Sequence, residues 1–450
     1  MRIILLSGGS GKRLWPLSND ARSKQFLKIL RNPAGQMESM LQRVWRQLNN
    51  VGLANNTMFA TSAKQVEMIT SQIGLDAPII IEPERRDTFP AIALSATYLY
   101  SVLGANLEET IVVLPVDTYV EDRFFENLKQ LDRIVNHSSA NLALVGVQPT
   151  YPSSKYGYIV PDASVVADDY RKVKSFREKP AESEAESLIE IEQALWNCGV
   201  FAFKLDYLIT RLYEQGVALQ YEELVKQYHQ LKKTSFDYEV VEKCNEIVML
   251  KYDGYWKDLG TWNTLTEEMA VSQIGKSVMS EDSNNTHIIN ELHIPITVLG
   301  LSDVVVAASP DGILVSDKAA STRLKEWILF EQRPMYEEHQ WGTSKVLEYI
   351  SDEDKESMTS RISMIAGTQR SIEVHFQRTE VWNILSGKGE LYLDGKTIPV
   401  EAGSVCQIPP RAKHGLKAIT NLEMIEIQIG GNLLRDDVVE FSYAWGEAAV

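Results

Sequence analysis

Over the first 150 residues, short β-rich apolar runs alternate with amphipathic helical stretches, and that alternation restricts the chain to a parallel sheet covered by helices. The expected strands are residues Ile3–Leu6, Met58–Thr61, Ile79–Glu82, Ile111–Pro115 and Leu142–Val147. Between them Met40, Leu41, Val44, Trp45 and Leu48 recur at helical spacing, and Thr88 followed by Pro90 opens a second helix. Residues 151–265, with KVKSF and GVFAFK, read as an extension of the same domain. The pattern then changes. After the polar stretch SEDSNNTH come short β segments, ITVLGL, VVVAA and ILVSD, and the charged stretch SDEDKES leads into β runs and Gly-containing turns without a clear helix.

The expected fold is therefore α/β, with a mostly parallel, doubly wound sheet over 1–270. A β-rich connector follows over 271–335, for which a β-helical arrangement is one option. An all-β barrel or jelly roll occupies 336–450. At 450 residues the chain exceeds what one hydrophobic core usually organises, which agrees with several domains.

A formal net charge of −16 argues against a surface that lies along DNA or RNA, because phosphate backbones are held by clustered Lys and Arg. Any bound phosphate is then a small ligand in a local basic pocket. Cys198, Cys244 and Cys406 are few, odd in number and far apart, so neither a disulfide framework nor a Cys-rich zinc module is indicated. The opening MRIILLSGGSG is too short in apolar residues for a signal-peptide core, and a cytoplasmic location is expected.

The segment LSGGSGKRLWPLS at 6–18 follows the first expected strand, where a sheet presents ligands at its carboxyl edge. Gly8, Gly9 and Gly11 allow tight turning and close approach to oxygens, while Lys12, Arg13 and Lys24 supply positive charge. Leu14 replaces the third glycine of the dinucleotide fingerprint and no P-loop spacing occurs, which disfavours a dehydrogenase or a P-loop ATPase. Taken alone, such a turn is as often structural as ligand-binding.

The opening motif and SKQFL at 23–27 resemble the signature of the sugar-phosphate nucleotidyltransferases. Within them the chain is similar to the mannose-1-phosphate guanylyltransferases joined to a type II mannose-6-phosphate isomerase domain. IEPERRDTFPAIA at 81–93, LPVDT at 114–118, YGYI at 156–159, FREKP at 176–180, WNCGVF at 196–201 and WKDLGTW at 256–262 follow in that family's order.

Nucleotidyl transfer onto a sugar phosphate needs little proton chemistry, since the attacking oxygen is already anionic, so positioning and charge neutralisation dominate. The resemblance implies a nucleotide-diphospho-sugar transferase fold and Mg²⁺ held by Asp117 and Asp258, with Arg13 and Lys24 as the catalytic cations. It places substrate against Leu6, Ser7, Gly8, Gly9, Gly11 and Lys12, and against Glu82, Pro83, Arg86, Gly157, Glu178, Lys179, Asn197 and Gly199. Glu82 and Pro83 would lie against guanine, favouring GTP; Glu178 and Lys179 would meet the sugar hydroxyls and phosphate; Asn197 and Gly199 would form the sugar loop. Without that context, Asp117 is a strand-end turn, Asp258 a surface turn, and Glu178 with Lys179 a solvated pair on a strand edge. Trp15, Trp196, Trp256 and Trp262 read as packing residues. The family commonly has His where Thr118 follows the first Asp.

EVHFQRTEVWNILSGKGELYLDG at 373–395 and IPPRAKHGLKA at 408–418 resemble the cupin barrel of type II phosphomannose isomerases. The resemblance implies a Zn²⁺ or other divalent-metal site of His375, Gln377, Glu380 and His414, with an amide in place of one imidazole. Arg378 matches the family motif, whereas Val381 and Gly415 stand where the family tends to have His and Arg. The residues leave the site intact, weakened or empty. A barrel serving stability or assembly is the leading expectation, with isomerase activity as the alternative.

The expected activity is conversion of GTP and mannose 1-phosphate to GDP-mannose and diphosphate, in a homodimer without nucleic-acid or membrane partners. The alternatives are a hexose-1-phosphate nucleotidyltransferase of other specificity, a bifunctional isomerase, and a regulatory protein that binds nucleotide sugar without turnover.

Overall fold

A computed structural model describes residues 1–9, 12–19, 21–74, 78–166, 169–328, 333–352, 355–431, 433 and 437–441, excepting the side chains of Lys12 and of 163–166. Contacts divide the chain into two compact units, Met1–Ser10 with Ser23–Ala270, and Gly11–Arg22 with Val271–Val450. Among the described residues, no helix is long and apolar enough to cross a membrane.

The first unit is built on a nine-stranded sheet. Its strands are β1 (Arg2–Leu6), β2 (Thr57–Ser62), β3 (Ile79–Glu82), β4 (Thr110–Pro115), β6 (Leu142–Val147), β7 (Gly157–Val166), β8 (Arg171–Glu178), β9 (Leu195–Lys204) and β10 (Ile247–Tyr252). A separate ribbon pairs β5 (Thr118–Val120) with β11 (Trp256–Asp258). The sheet order is β3-β2-β1-β4-β9-β6-β10-β8-β7.

Alternation along the strands explains the two-sided covering. Ile3 and Leu5 enter one core with Leu41, Val44 and Leu48 of α1 (Met40–Asn50) and with Phe124, Phe125 and Leu128 of α3 (Asp122–His137). Ile4 enters the other core, with Phe89 and Ile92 of α2 (Thr88–Ser101) and Leu205 and Leu208 of α4 (Leu205–Glu214). A strand buried on both faces reads as a continuous apolar run, which is why IILL has no polar member. Helix α1 starts at a capping box, Ser39 accepting from the Gln42 amide and Gln42 from that of Ser39, an arrangement that stabilises a helix by about 1 kcal/mol.

The expectation of a mostly parallel sheet needs correction, because the sheet is mixed. β1, β2, β3 and β4 pair in parallel, as do β6 and β10, but β9 runs antiparallel to both β4 and β6 and divides the two blocks. β8 is antiparallel to β10 and β7. Burial on both faces leaves the same apolar signature in either direction, so GVFAFK carried no sign of its orientation.

In the second unit, Gln273–Ile274, His287–Asn290 and Val304–Ser309 pair successively in parallel, as Ser277–Met279 does with Ile296–Val298. Ile288, Val298 and Val306 form their small core. We label Val304–Ser309 β12 and its antiparallel partner Gly312–Asp317 β13. Two antiparallel sheets follow. One contains β14 (Glu356–Met364), β16 (Arg378–Ser386) and β18 (Leu422–Gly430); the other contains β15 (Ile372–His375) and β17 (His414–Ala418). Ile362, Trp382 and Met424 of the first sheet share a core with Leu416 and Ala418 of the second, so the sheets face each other.

Candidate active site

The loop after β1 is tied down through its carbonyls. Ser23 Oγ donates to the Gly9 carbonyl at 2.6 Å and Thr61 Oγ1 to that of Ser7 at 3.2 Å, while the Ser7 amide donates to Ala60 at 2.9 Å. Gly8 and Gly9 line a cavity of about 250 Å³ with Leu6, Glu82, Arg86 and Asp117. A Cβ on Gly8 would stand 3.2 Å from Glu82 Oε1, so the glycine permits the close approach of loop and carboxylate.

Asp117 and Asp258 are brought together by the β5/β11 ribbon, in which Asp258 is the register partner of Thr118. Lys24 Nζ lies 2.8 Å from Asp117 Oδ2 and 3.3 Å from Asp258 Oδ1. Burial alone would lower the Lys24 pKa, but the two carboxylates outweigh it and hold the ammonium above its ordinary range. Two hard oxygen donors that converge on one cation suit a divalent ion such as Mg²⁺. A Cβ on Gly260 would lie 2.9 Å from Asp258 Oδ2, so a side chain there would crowd that carboxylate. The Thr118 hydroxyl is taken up by the turn, donating to the Pro115 carbonyl at 3.1 Å.

Glu82 ends β3 almost fully buried and accepts a hydrogen bond from Tyr228 Oη at 2.9 Å. Burial pushes its pKa up to about 6, against the opposing pull of Tyr228 and Arg85. Pro83 after it is exposed. Arg86 is held by the Leu231 carbonyl at 2.9 Å and by Glu84 at 2.8 Å.

A third group gathers around Glu178. The side chain of Glu178 is 5% exposed while that of Lys179, whose Nζ meets it at 2.6 Å, is 49% exposed, so only the cationic half of the pair is solvated. Gly157 faces it so closely that a Cβ would lie 2.6 Å from Glu178 Oε2. Asn197 Nδ2 donates to Asp237 Oδ1 at 2.9 Å, and Asn197 Oδ1 accepts from the Gly199 amide at 3.2 Å. Burial first, and Glu178 second, push Asp237 up to about 7. Lys179 has a left-handed φ of 49° and Asp87 in the cavity lining one of 74°, conformations that cost a non-glycine residue energy, whereas Gly199 adopts its φ of 71° without strain.

A further cavity of about 540 Å³ is lined by Tyr156, Trp196, Trp256, Lys257 and Asp258. Trp196 and Trp262 are buried as packing predicts, yet Trp196 and Trp256 also wall this space. Trp15 lies against Gly312 within the second unit, 2.4 Å from where a Cβ there would stand.

The barrel brings three of the four expected ligands together, His375, Glu380 and His414, with Glu373 beside them. Glu373, His375 and His414 present donor atoms within 4.8 Å of one another. Glu380 Oε1 lies 3.0 Å from His375 Nε2, and its Oε2 3.6 Å from His414 Nε2. Gln377 is not among them: it is exposed in the turn after β15, where its backbone amide donates to Asp437 at 3.1 Å. The period of two along β15 puts Glu373 and His375 on one face, and the strand ends before the next member of that series. Two imidazoles and two carboxylates suit a divalent metal. His414 Nδ1 bonds the Ala412 carbonyl at 2.9 Å, and its Nε2 has no hydrogen-bond partner among the described residues and faces the Glu373 and Glu380 carboxylates at 3.7 and 3.6 Å, the orientation of a metal-ligating histidine. The Arg378 guanidinium also reaches this point, 3.1 Å from His375 Nε2 and 3.2 Å from Glu380 Oε1.

Residues 2–273 match the family described as Nucleotidyl transferase, more than half of the chain. The chain belongs to that family. Residues 332–443 of this nucleotidyltransferase match the family described as Mannose-6-phosphate isomerase C-terminal. A Vibrio cholerae protein named putative mannose-1-phosphate guanylyltransferase is 29% identical, over 97% of this chain and 98% of its own length. The xanthan biosynthesis protein XanB of Xanthomonas campestris is 28% identical, over 98% of both. Among solved structures, a Thermus thermophilus protein named mannose-1-phosphate geranyltransferase superposes with a TM-score of 0.61 at 26% identity, covering 73% of this chain and 98% of that one.

In this nucleotidyltransferase the structure draws Ser7, Gly8, Gly9, Lys24, Glu82, Arg86, Asp117 and Asp258 to one end of the sheet. Gly157, Glu178, Lys179, Asn197 and Gly199 form the neighbouring group. Arg13 is exposed on the short helix Lys12–Leu14, which belongs to the second unit, whereas the acid pair and Lys24 belong to the first. Gly11 and the Lys12 side chain lie outside the described residues. Asp237, Tyr228, Asp87 and Glu373 were not singled out from sequence. Asp237 lies in FDYEVVEK, where it opens a π-helical turn over Asp237–Val241.

Proposed function

We propose that this nucleotidyltransferase joins GTP to mannose 1-phosphate. A phosphate oxygen of the sugar phosphate forms a bond to the α-phosphorus of GTP, the bond from that phosphorus to the β-phosphoryl oxygen breaks, and diphosphate leaves. The observation that carries this reading is the convergence of Asp117 and Asp258, far apart in the chain, on Lys24 beside the glycine loop. Mg²⁺ bound by the two aspartates would neutralise charge on the triphosphate. Gly8 and Gly9 would let main-chain amides approach its oxygens, and the carboxylate of Glu82 would accept from the donor edge of guanine. Glu178, Asn197 and Asp237 offer acceptors and an amide to sugar hydroxyls, with Lys179 for the sugar's phosphate. The names of relatives matched over nearly the whole chain support GTP and mannose 1-phosphate.

The test is diphosphate release with four nucleoside triphosphates against mannose, glucose and fucose 1-phosphates. GTP with mannose 1-phosphate is expected to be fastest by kcat/KM, and no release from any pair would sink the reading.

The donor set in the barrel favours a second reading, interconversion of fructose 6-phosphate and mannose 6-phosphate. A divalent metal there would stabilise the enediolate while a barrel carboxylate moves the proton between C1 and C2. Coupled assay of that conversion tests it.

A further inference from the structure

The glycine loop leaves the first unit and returns to it. Residues up to Ser10 and from Ser23 belong to the first unit, while Gly11–Arg22 belong to the second. The Ser23 Oγ to Gly9 carbonyl bond, 2.6 Å, closes the neck of this excursion. Gly9 stands two residues before it and Lys24 two residues after it, a reach of at most about 7 Å of chain at each end.

Inside the second unit the excursion is held at Trp15, Pro16, Asn19 and Arg22. Both terminal nitrogens of Arg22 bond both oxygens of Glu291, at 2.9 and 2.6 Å, and the guanidinium lies 4.8 Å from the centre of the Tyr336 ring. The side chain of Arg22 is 7% exposed and that of Glu291 26%, so this is a bidentate pair with a buried guanidinium and a partly exposed carboxylate. Asn19 Nδ2 donates to Asp311 at 2.9 Å, and its Oδ1 accepts from the Arg22 amide at 2.7 Å, which fixes the turn that presents the guanidinium. Ser309 Oγ donates to the Pro16 carbonyl at 2.6 Å. Trp15 fills the space over Gly312, whose φ of 150° and closeness to the indole exclude a side chain.

A glycine-rich loop that is free in solution loses conformational entropy when it closes on a ligand. Holding the excursion at Trp15, Pro16, Asn19 and Arg22, next to Lys24, removes part of that cost in advance. We infer that Arg22, Glu291, Asn19 and Asp311 are positioning residues for the nucleotide loop, so that the connector after residue 270 is a working part of triphosphate binding. The inference rests on the transferase reading of that loop.

The experiment uses the full chain carrying Glu291→Gln, with Asn19→Ala as the milder variant and Arg22→Lys against Arg22→Ala as the conservative comparison. Calorimetric Kd for GTP with Mg²⁺, KM for mannose 1-phosphate and melting temperature are measured together. Glu291→Gln is expected to weaken GTP by about tenfold while the sugar-phosphate KM moves less than about twofold. Asn19→Ala should shift GTP in the same direction by less, and Arg22→Lys should recover part of what Arg22→Ala loses. Unchanged GTP affinity in folded Glu291→Gln and Asn19→Ala proteins would overturn the inference alone. So would GTP and sugar-phosphate constants rising together with a lost melting transition, which is general destabilisation. A wild-type chain that binds no nucleoside triphosphate would sink the transferase reading and this inference with it.

Discussion

Asp258 lies across a two-stranded ribbon from Thr118, the residue after Asp117, so antiparallel register rather than proximity in sequence brings the two acids to one cation. Replacing either acid removes a donor from that point without touching the sheet cores. Asp117→Ala and Asp258→Ala are each expected to lower kcat by about 10²-fold or more, the scale set by losing one electrostatic partner of a phosphoryl group. Melting temperature should change little. Diphosphate release and thermal unfolding on the same preparations check this.

Glu82 gives a pH signature. Burial raises its pKa to about 6, so the carboxylate is mostly ionised at pH 7 and protonates as the pH falls through that value. Only the ionised form offers an acceptor at both oxygens and carries no O–H that would oppose a guanine N–H edge, hence KM for GTP is expected to rise below pH 6 and to flatten above pH 7. Tyr228 donates to the carboxylate and favours the ionised form. Tyr228→Phe should therefore move the midpoint to higher pH, and Glu82→Gln should abolish it. Initial rates between pH 5 and 8 at limiting GTP measure both.

Asp237 accepts from Asn197 Nδ2 within the proposed sugar-binding group, and burial with the nearby Glu178 pushes its carboxyl up to about 7, which leaves it partly protonated at neutral pH. Asp237→Ala would strand a buried amide donor, at a cost of about 1–2 kcal/mol. The expected result is roughly a tenfold rise in KM for the sugar phosphate, with GTP affinity unchanged. Asp237→Asn separates charge from geometry: it is expected to retain much of the binding while losing the pH dependence near 7. Steady-state kinetics with one substrate saturating distinguishes these outcomes.

What could be read from sequence followed the physics of each signal. β3 and β6 fall at the residues expected, Ile79–Glu82 and Leu142–Val147, because short apolar runs between turn residues have few ways to be placed. β9 was legible as a strand but not in direction, since both faces are buried. Asp117 and Asp258 came from ordered motifs, whereas Asp237 had no motif read for it and its helical surroundings resemble any solvated face. Gln377 was expected as a ligand because it stands at the second position of the His-x-His motif that the segment resembles, but the extent of the strand decides which side chains share a face. β15 stops at His375, and Glu373 takes the inward position.

That difference yields the last prediction. If the barrel binds a divalent ion through Glu373, His375, Glu380 and His414, then bound metal in Glu373→Ala and His414→Ala proteins should fall well below wild type. Gln377→Ala should keep it, because Gln377 sits in an exposed turn. Elemental analysis after dialysis against Zn²⁺ reads this directly, without reference to turnover. The transferase reaction should be unaffected in all three variants, since its proposed residues lie in the first unit and its nucleotide loop is gripped by Glu291 and Asp311, not by the barrel's histidines. Metal lost with Gln377→Ala and kept with Glu373→Ala would reverse the assignment and require the turn at Phe376 to rearrange on binding.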